Sequence, residues 1–535
     1  MYRFLSILML CLVSLSTQAA KVETGNAMLD QVFETLLGRD FEAKERALNA
    51  LAVSGHAKRF DLIEGILNAR LKLHKKSKRL VWVEVRGREF VATDVLNGER
   101  LGSFNKRKLK KIIINNRLRH VIADLLAPHK LMSDDPAVRL KTVNAMLANP
   151  TAAHVAILQP LVDHEADRYV RLAMQAVIAY VNLDAAEPAV RLAAIAEVGD
   201  SLEPAIRQKL KAISESDAGL VIKKAAAEAL RKTENRVAMF GHIETLFFGL
   251  SLGSVLVLAA IGLAITFGVM GVINMAHGEL IMLGAYTAYL IQLALPERLG
   301  LALILSVPMA FMVSGLVGVG IERGVIRFLY GRPLETLLAT FGISLILQQL
   351  VRTLVSPQNV PVANPAFMSG FWEINGVLSL TYNRLYIMLF CMMVFVALFV
   401  ILKRTRLGVQ VRAVSQNRTM ARAMGVHASR VDALTFGLGS GVAGVAGVAL
   451  SQLTNVGPNL GQAYIVDSFM VVVFGGVGNL WGTLIGGIGL GIANKFMEPW
   501  AGAVMAKILI LVIVILFIQK RPRGLFPQKG RAVES

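Results

Sequence analysis

The side chains best suited to handle a solute lie in a short polar segment between two apolar stretches. Residues 268–280 read GVMGVINMAHGEL and join the apolar residues 245–267 to residues 281–294. The segment places His277 and Glu279 at a membrane boundary, where an unpaired charge is costly. A polar loop in that position indicates a function beyond helix packing.

A second group of polar side chains recurs at every fourth position of a later apolar stretch. Thr340, Ser344 and Gln348, which we call the polar stripe, share one face of a predicted helix. Their hydroxyl and amide groups suit a neutral, amide-like solute. A charged solute would need an intramembrane countercharge, and beyond Thr340 in the same span only Arg352 offers one. A hydrogen-bonded contact between two helices explains the stripe equally well. The candidate substrate path comprises Asn274, Thr340, Ser344, Gln348 and Ser440.

Motifs of the common enzyme classes are absent from the sequence or occur in the wrong context. There is no phosphate-binding loop of the form GxxxxGK[ST] and no HExxH metal motif. Residues 249–253 and 439–444 match a nucleophile elbow and a dinucleotide loop by letter. Both lie in apolar stretches, without the strand, turn and helix that either chemistry needs. We therefore expect no catalytic residue, no metal site and no cofactor.

Hydropathy predicts about nine membrane spans that hold these side chains in place. Three basic connections, around residues 323–332, 403–430 and 520–523, belong on the cytoplasmic side. That places the start of the first span outside the cytoplasm and the carboxyl terminus inside. Glycine-rich runs predict helices that pack at close range. The predicted spans are residues 245–267, 281–294, 301–321, 334–355, 385–402, 433–453, 463–477, 481–496 and 501–518.

Five stretches resemble, in order, blocks of the permease subunits of branched-chain amino-acid ABC importers. They are residues 268–280, 339–348 (ATFGISLILQ), 405–414 (TRLGVQVRAV), 474–483 (FGGVGNLWGT) and 520–526 (KRPRGLF). The resemblance covers residues 241–527 and implies a polytopic helical permease in a bacterial inner membrane. It implies as partners a second, homologous permease subunit, two ABC ATPase subunits and a periplasmic substrate-binding protein. The family loop comprises Asn274, His277, Gly278 and Glu279.

Residues 405–430 look like a docking element on the cytoplasmic face. Residues 415–427 predict one short helix that ends near Gly425, and in importers of this kind such a coupling helix enters a groove on the ATPase. Only Ala421 and Gly425 match the general importer pattern EAAxxxG. A basic loop that only sets topology explains the arginines but not the resemblance. The candidate coupling residues are Ser415, Arg418, Thr419, Ala421, Arg422 and Gly425.

The amino terminus predicts export of the residues that follow it. Residues 1–20 combine an early arginine, a short apolar run and a small-residue exit, which is the layout of a cleavable signal peptide. Residues 21–236 then form a periplasmic domain, and residues 528–535 a cytoplasmic tail. Cys11 lies in the signal and Cys391 in a span, so the exported domain has no disulfide.

Within the exported domain a β-hairpin interrupts a helical pattern. Residues 80–85 and 89–95 alternate apolar and polar residues across an Arg-Gly-Arg turn, and the hairpin region extends to about residue 102. Basic clusters flank it at residues 75–79 and 106–111. An exported surface rarely meets nucleic acid. We therefore expect a solvated or membrane-lipid-facing surface and no nucleic-acid partner.

Beyond residue 128 a short phrase recurs at the start of helical segments. Its copies are DPAVRL at 135–140, DRYVRL at 167–172, EPAVRL at 187–192 and a looser one at 217–223. Each puts an acid near a helix amino terminus and an apolar stripe behind it. The pattern resembles HEAT-type repeats and predicts a short α-solenoid. Arg139, Arg171 and Arg191 either pair within the stack or line a binding face, and we favour the pairing.

The predicted fold class is all-α: a polytopic helical membrane permease preceded by an exported α-solenoid with a small β-hairpin. An exported helical domain ahead of such a permease is similar to the permease subunits of bacterial urea importers. This resemblance implies urea or a short amide as the substrate. A branched-chain amino-acid permease is the alternative within the class. A membrane-anchored scaffold or sensor is the alternative from another class, which the polar, glycine-rich spans disfavour.

Overall fold

The computed structural model of the protein describes residues 27–86, 89–95, 97–104 and 106–526. These residues form two compact units that divide between Glu234 and Asn235, and each unit is described by itself. The predicted signal peptide and cytoplasmic tail, residues 1–20 and 528–535, lie outside the described residues.

The first unit contains a group of helices, an antiparallel sheet and a second group of helices. Its helices are α1 (Ala27–Leu36), α2 (Phe41–Val53), α3 (Arg59–Leu67), α4 (Asn116–Leu131), α5 (Pro136–Leu147), α6 (Ala152–Val162), α7 (Arg168–Asn182), α8 (Pro188–Val198) and α9 (Pro204–Glu215). Its strands are β1 (Leu71–His74), β2 (Leu80–Arg86), β3 (Glu89–Asp94), β4 (Arg100–Phe104) and β5 (Leu109–Lys111). Helix α10 (Leu220–Met270) is 51 residues long and contains the point of division.

The predicted hairpin is part of a larger sheet. Strands β2 and β3 pair antiparallel with Val83 opposite Ala92, and the strand order is β4-β3-β2-β1-β5. The all-α expectation is therefore wrong, although the chain is mostly helical. Strands β1 and β5 escaped prediction because they have only four and three residues and include lysines, which strands disfavour. Leu71, Leu73 and Trp82 pack into a core that α1, α2, α3 and α4 share.

The recurring phrase marks true helix starts in the first unit. Asp135 and Asp167 cap α5 and α7, because their side chains accept backbone hydrogen bonds from Ala137 at 2.9 Å and Tyr169 at 2.8 Å. Glu187 directly precedes α8. Helices α5, α6 and α7 bury one apolar cluster, and α8, α9 and the start of α10 bury the next. This stacking agrees with helical repeats, while the HEAT-type assignment stays a prediction.

The three arginines of the recurring sequence phrase form hydrogen bonds within the first unit, which is the predicted pairing. Arg171 donates to the carbonyl oxygen of Glu165 at 2.9 Å, and Arg191 donates to the carbonyl oxygen of Leu183 at 3.0 Å. Arg139 pairs with both carboxylate oxygens of Glu165, at 2.9 and 2.7 Å. The three arginines therefore pair within the stack and do not line a free binding face.

The second unit is a helix bundle with one small sheet. From α10 it continues with α11 (His277–Ala294), α12 (Leu299–Gly324), α13 (Pro333–Leu354), α14 (Tyr382–Arg404), α15 (Arg406–Gln416), α16 (Arg418–Ala423), α17 (Ala428–Ser451), α18 (Leu460–Gly475), α19 (Leu480–Ala501) and α20 (Ala503–Lys520). Strands β6 (Phe371–Glu373) and β7 (Ser379–Thr381) pair with each other.

Six helices among the described residues are long and apolar enough to cross a membrane: α10, α12, α13, α14, α17 and α20. The other three predicted spans fall on α11, α18 and α19, which are shorter or less apolar. Every predicted span coincides with a helix, and most ends differ by a few residues, but the helix of the first span, α10, begins 25 residues before residue 245. The second unit is therefore a polytopic membrane bundle, as the hydropathy predicted.

Glycine lets helices of the bundle approach closely. A Cβ atom at Gly284 of α11 would overlap the carbonyl oxygen of Gly444 of α17. A Cβ atom at Gly278 of α11 would overlap the backbone of Gly461 of α18. Backbones in direct contact require this absence of side chains. The glycines therefore fix α11 against α17 and α18.

Candidate functional site

The polar loop runs back into the helix bundle. Helix α10 ends at Met270, and Gly271, with a φ of 66°, turns the chain. His277, the first residue of α11, donates from Nε2 to the carbonyl oxygen of Ala259 at 2.9 Å. Ala259 lies eleven residues before the end of α10. Ala259 thus lies about 16 Å along the helix from Met270, at 1.5 Å per residue, and residues 271–276 run back alongside α10 toward it.

Burial corrects the predicted position of the loop. Asn274 and His277 are fully buried and Glu279 is 1% exposed, so these side chains lie inside the bundle and not at its boundary. Irregular backbone is stable at such depth because protein surrounds it. Hydropathy could not show this, because it places a polar residue only by its distance in sequence from the apolar runs.

Asn274 shapes the loop, and the polar stripe holds it. Oδ1 of Asn274 accepts a hydrogen bond from the backbone N–H of Ala276 at 3.0 Å. The backbone N–H of Met275 donates to Oγ1 of Thr340 on α13 at 3.1 Å. The sequence predicted both the loop and the stripe, and the structure brings them into contact.

Glu279 binds the rest of the polar stripe. Its Oε1 accepts hydrogen bonds from Oγ of Ser344 at 3.0 Å and from Nε2 of Gln348 at 2.7 Å. Side chains of α13 thus hold a carboxyl group of α11 in the interior of the bundle. We name the following residues the polar seam: Asn274, Glu279, Thr340, Ser344 and Gln348.

Part of the hydrogen-bonding capacity at the polar seam is unused. Oε2 of Glu279, Nδ2 of Asn274 and the hydroxyl of Tyr286 are buried and find no partner among the residues that the structure describes. Tyr286 lies seven residues after Glu279, hence on the same face of α11. Buried polar atoms nearly always have a partner. These three atoms therefore carry hydrogen-bonding capacity that the described residues do not use.

The four-residue spacing of the polar stripe continues along α13 in both directions. Thr336, one turn before Thr340, is 1% exposed. Arg352, one turn after Gln348, donates to Oδ1 of Asn459 at 2.7 Å. Thr336 is four residues before Thr340, and this spacing is the sequence signal that places it on the same face of the helix.

Ser440 lies apart from the polar seam. It is 1% exposed on α17, where it occupies the space beside Gly318 of α12. Its hydroxyl forms no hydrogen bond to any described residue. The structure thus brings the other candidates of the substrate path together and leaves Ser440 out.

The predicted coupling helix is in fact two helices. Asn417 separates α15 from α16 in an extended conformation, with φ −150° and ψ 98°. Its side chain accepts a hydrogen bond from the backbone N–H of Met420 at 2.9 Å and so caps α16. Ser415 belongs to α15. The expectation of one helix over residues 415–427 is wrong, because asparagine caps a helix better than it continues one.

Two of the predicted coupling residues anchor the segment. Ala421 is 5% exposed and packs with Val411 in a small apolar cluster. The guanidinium of Arg418 donates to both carboxylate oxygens of Asp432 on α17. The exposed members of the predicted set are Thr419, Arg422 and Gly425.

Gly425 ends α16 in a conformation that favours glycine. Its φ is 85°, and its N–H donates to the carbonyl oxygen of Arg422 at 3.0 Å. The N–H of Val426 donates to the carbonyl oxygen of Ala421 at 3.0 Å, which completes a Schellman cap. A Cβ at Gly425 would meet nothing within 4 Å. A substitution there strains the backbone and does not crowd its neighbours.

Comparison with known proteins assigns the second unit to a family. The profile of the branched-chain amino acid transport system / permease component family matches residues 245–518. The chain belongs to this permease family. The matched residues contain the polar seam and the coupling segment, whereas residues 27–234 of the first unit precede them.

Named relatives of this permease transport different solutes. It is 31% identical over 300 residues to the high-affinity branched-chain amino acid transport system permease protein BraD of Pseudomonas aeruginosa, over 54% of this chain and 96% of the relative. It is 30% identical over 293 residues to LivH of Escherichia coli K12, over 53% and 94%. The ribose import permease protein RbsC of the same strain is 26% identical over 287 residues, covering 52% and 85%. No solved structure matches.

Membership in the family confirms that the chain is a multi-pass ABC-type permease of the branched-chain amino-acid transporter family. Its named relatives are transport system permease proteins. Relatives for branched-chain amino acids and for ribose share this fold region, so the family alone leaves the substrate open.

Proposed function

We propose that this permease carries urea or another short amide across a bacterial inner membrane, as one subunit of a binding-protein-dependent ABC importer. Its partners are a second, homologous permease subunit, two ABC ATPase subunits and a periplasmic substrate-binding protein. ATP hydrolysis belongs to the ATPase subunits. The first unit lies in the periplasm after removal of the signal peptide, and its basic residues 75–79 face solvent or membrane lipid.

The unused hydrogen-bonding atoms at the polar seam support this proposal. A urea-like solute carries several N–H donors and one carbonyl acceptor. Oε2 of Glu279 and the hydroxyl of Tyr286 can accept from the N–H groups, and Nδ2 of Asn274 can donate to the carbonyl oxygen. Each such bond contributes about 0.5–1.5 kcal/mol. Contacts of that strength suit a solute that must bind and then leave.

A zwitterionic amino acid is the second candidate for the substrate. Glu279 binds Gln348, and Arg352 is the next residue along the same face of α13, so an acid and a base border one region. These charges complement an ammonium and a carboxylate, and two named relatives are branched-chain amino acid permeases. The guanidinium of Arg352 already binds Asn459, which favours the neutral solute.

Uptake of labelled urea and labelled leucine, measured side by side, tests the proposed function. One set of cells carries the whole importer, and the other lacks only this chain. We expect urea uptake to depend on the chain and leucine uptake not to depend on it. Leucine uptake that depends on the chain, without urea uptake, would establish the second candidate. If uptake of neither solute depends on the chain, an anchor or scaffold replaces the transport proposal.

We propose that α16 and Gly425 dock on the ATPase subunit. The change Gly425→Glu puts a side chain at a φ of 85° and strains the end of α16. Urea uptake and recovery of the ATPase with the purified permease should both fall. The matched control is Gly425→Asn, because asparagine tolerates this conformation, and it should retain most of both. If the same amount of ATPase is recovered with the unchanged permease and with both variants, the segment is only a basic loop that sets topology.

The proposed orientation can be tested with single cysteines in a Cys391→Ser background. Ser103→Cys, at an exposed position of β4, should react with a membrane-impermeant thiol reagent in cells with a permeabilised outer membrane. Ser415→Cys, in α15, should react only after the inner membrane is also opened. Reaction at residue 415 in cells with an intact inner membrane would contradict the orientation.

A further inference from the structure

The connection between α12 and α13 holds an aromatic side chain outward. Its short 3₁₀ helix, Ile326–Leu329, is anchored by Ile326, which is fully buried in an apolar cluster of the bundle. Phe328 in the same turn is 73% exposed. At the far end of the connection, Oγ1 of Thr336 donates to the carbonyl oxygen of Arg332 at 2.8 Å and lies 3.2 Å from the carbonyl oxygen of Leu329. Phe328 is thus presented by a fixed backbone.

Arg418 joins this connection to α16. Its guanidinium lies 4.0 Å from the centre of the Tyr330 ring and binds the carboxylate of Asp432, which is 2% exposed. An arginine that stacks on an aromatic ring and also forms a two-pronged ion pair has little freedom to move. The connection and α16 are therefore held in a fixed arrangement.

The joined segments carry exposed apolar side chains and exposed arginines. Phe328 is 73% exposed, Met420 60% and Met424 78%, and we call these three residues the composite surface. The exposed arginines of the two segments are Arg327, Arg332 and Arg422, and Arg323 and Arg430 are exposed in the adjoining ends of α12 and α17. Aromatic residues, methionine and arginine are the side chains enriched in protein interfaces.

We propose that the composite surface is one docking site for a protein partner with an apolar groove and an acidic rim, and that this partner is the ATPase subunit. The inference rests on the proposed function, which assigns docking to α16. It adds the connection between α12 and α13 as the second half of the site. Phe328 is the anchor of that half, because a large exposed aromatic residue on a fixed backbone gains most from burial in a pocket.

Photo-crosslinking in the assembled importer tests the composite surface. Benzoylphenylalanine replaces Phe328, Met424 or, as a control, Leu389, which is 69% exposed on α14. We expect the first two positions to crosslink to the ATPase subunit and the control not to. A crosslink from residue 424 alone would overturn this inference and leave the proposed docking of α16 intact. Crosslinks from neither position would defeat both, and a crosslink from residue 328 only to lipid or to another permease would overturn the inference.

Binding of purified ATPase to the detergent-solubilised permease gives a second measure. Phe328→Ala should weaken binding at least about fivefold, the loss typical of an interface anchor. Leu389→Ala should change it less than about twofold. Arg418→Ala removes the contact that holds the two segments together, so it should weaken binding and abolish the crosslink from residue 328. The control Met424→Ala should retain that crosslink. Unchanged binding of the Phe328→Ala permease would overturn the inference.

Discussion

Two buried glutamates, one in each unit, have opposite degrees of hydrogen bonding. Glu165 of the first unit accepts from Arg139 at 2.7 and 2.9 Å and from the backbone N–H of Asp167 at 2.9 Å, so both of its oxygens are bound. Glu279 of the bundle binds Ser344 and Gln348 through one oxygen, and the other has no partner among the described residues. Burial alone does not distinguish them, because their exposed fractions are 9% and 1%.

The difference separates a structural carboxyl group from one available for binding. A buried ion pair with every atom bound fixes the two segments that it joins, and the loss of either partner leaves an uncompensated charge. A carboxyl group held by neutral donors on one side keeps an acceptor for another molecule. We therefore expect changes at Glu165 to affect stability and changes at Glu279 to affect transport.

The largest effect on transport is expected from Glu279→Leu. The hydroxyl of Ser344 and the amide of Gln348 both lose their acceptor, at about 1–3 kcal/mol each. Urea uptake should fall at least about tenfold, since 1.4 kcal/mol corresponds to tenfold. Glu279→Gln retains one acceptor oxygen and should lose less. Uptake equal to that of the unchanged permease would mean that Glu279 is not on the substrate path and has only a structural role, as expected for Glu165.

A smaller loss is expected from Gln348→Leu. This change removes one donor to Glu279 and leaves the bond from Ser344 in place, at a cost of about 1–3 kcal/mol. Urea uptake should fall about fivefold or more, and the affinity of the separate binding protein for urea should not change. Full uptake by this variant would place the path elsewhere in the bundle.

Glu165→Gln should weaken the first unit without lowering uptake in the assembled importer. The hydrogen bond from Arg139 holds the pKa of Glu165 below its usual value. A lowered pKa stabilises the folded state fully above the unfolded value of about 4.3 and ceases to do so as the pH falls through the folded-state pKa. Hydrogen exchange of residues 133–172 should therefore be faster in the variant at pH 7, by the equivalent of about 1–3 kcal/mol.

The pH dependence of that difference is the control for Glu165. Above about pH 5 the gap in exchange protection between the two proteins should stay constant, and below about pH 4 it should narrow. A gap that persists unchanged at low pH would mean that the charge of Glu165 contributes nothing to the stability of the first unit.

The smallest effect is expected from Ser440→Ala. The hydroxyl of Ser440 has no partner among the described residues and packs beside Gly318, away from the polar seam. Removing an unpaired buried hydroxyl is close to neutral, so urea uptake should change less than about twofold. A larger loss would return Ser440 to the substrate path. It would also show that a residue of the path need not belong to the polar seam around Glu279.

The polar stripe could be predicted because its information is local. A spacing of four residues puts Thr340, Ser344 and Gln348 on one face whatever surrounds the helix. The group that they bind could not be predicted in the same way. Glu279 is 65 residues from Ser344 in sequence, and the return of the loop along α10 depends on tertiary packing that no local pattern encodes.

The same distinction explains the successes and errors elsewhere in the chain. Asp135 and Asp167 marked helix starts correctly because a cap bonds to the next few residues. Strands β1 and β5 were missed because their pairing partners, and not their own residues, make them strands. Asn417 lies inside the stretch predicted to be one helix, although it caps α16. Asparagine at that position is itself a local signal for a helix start.

The loop of residues 271–276 also constrains the length of the chain. Connections between helices usually tolerate insertions because they lie on the surface. Here Val272, Asn274 and Ala276 are buried, so a residue added between Val272 and Ala276 must displace a buried side chain. A permease with a short epitope inserted between the exposed Pro357 and Gln358 should retain uptake. A permease with even one extra residue between Val272 and Ala276 should lose it. The site therefore depends on the number of residues between α10 and α11 as well as on which residues they are.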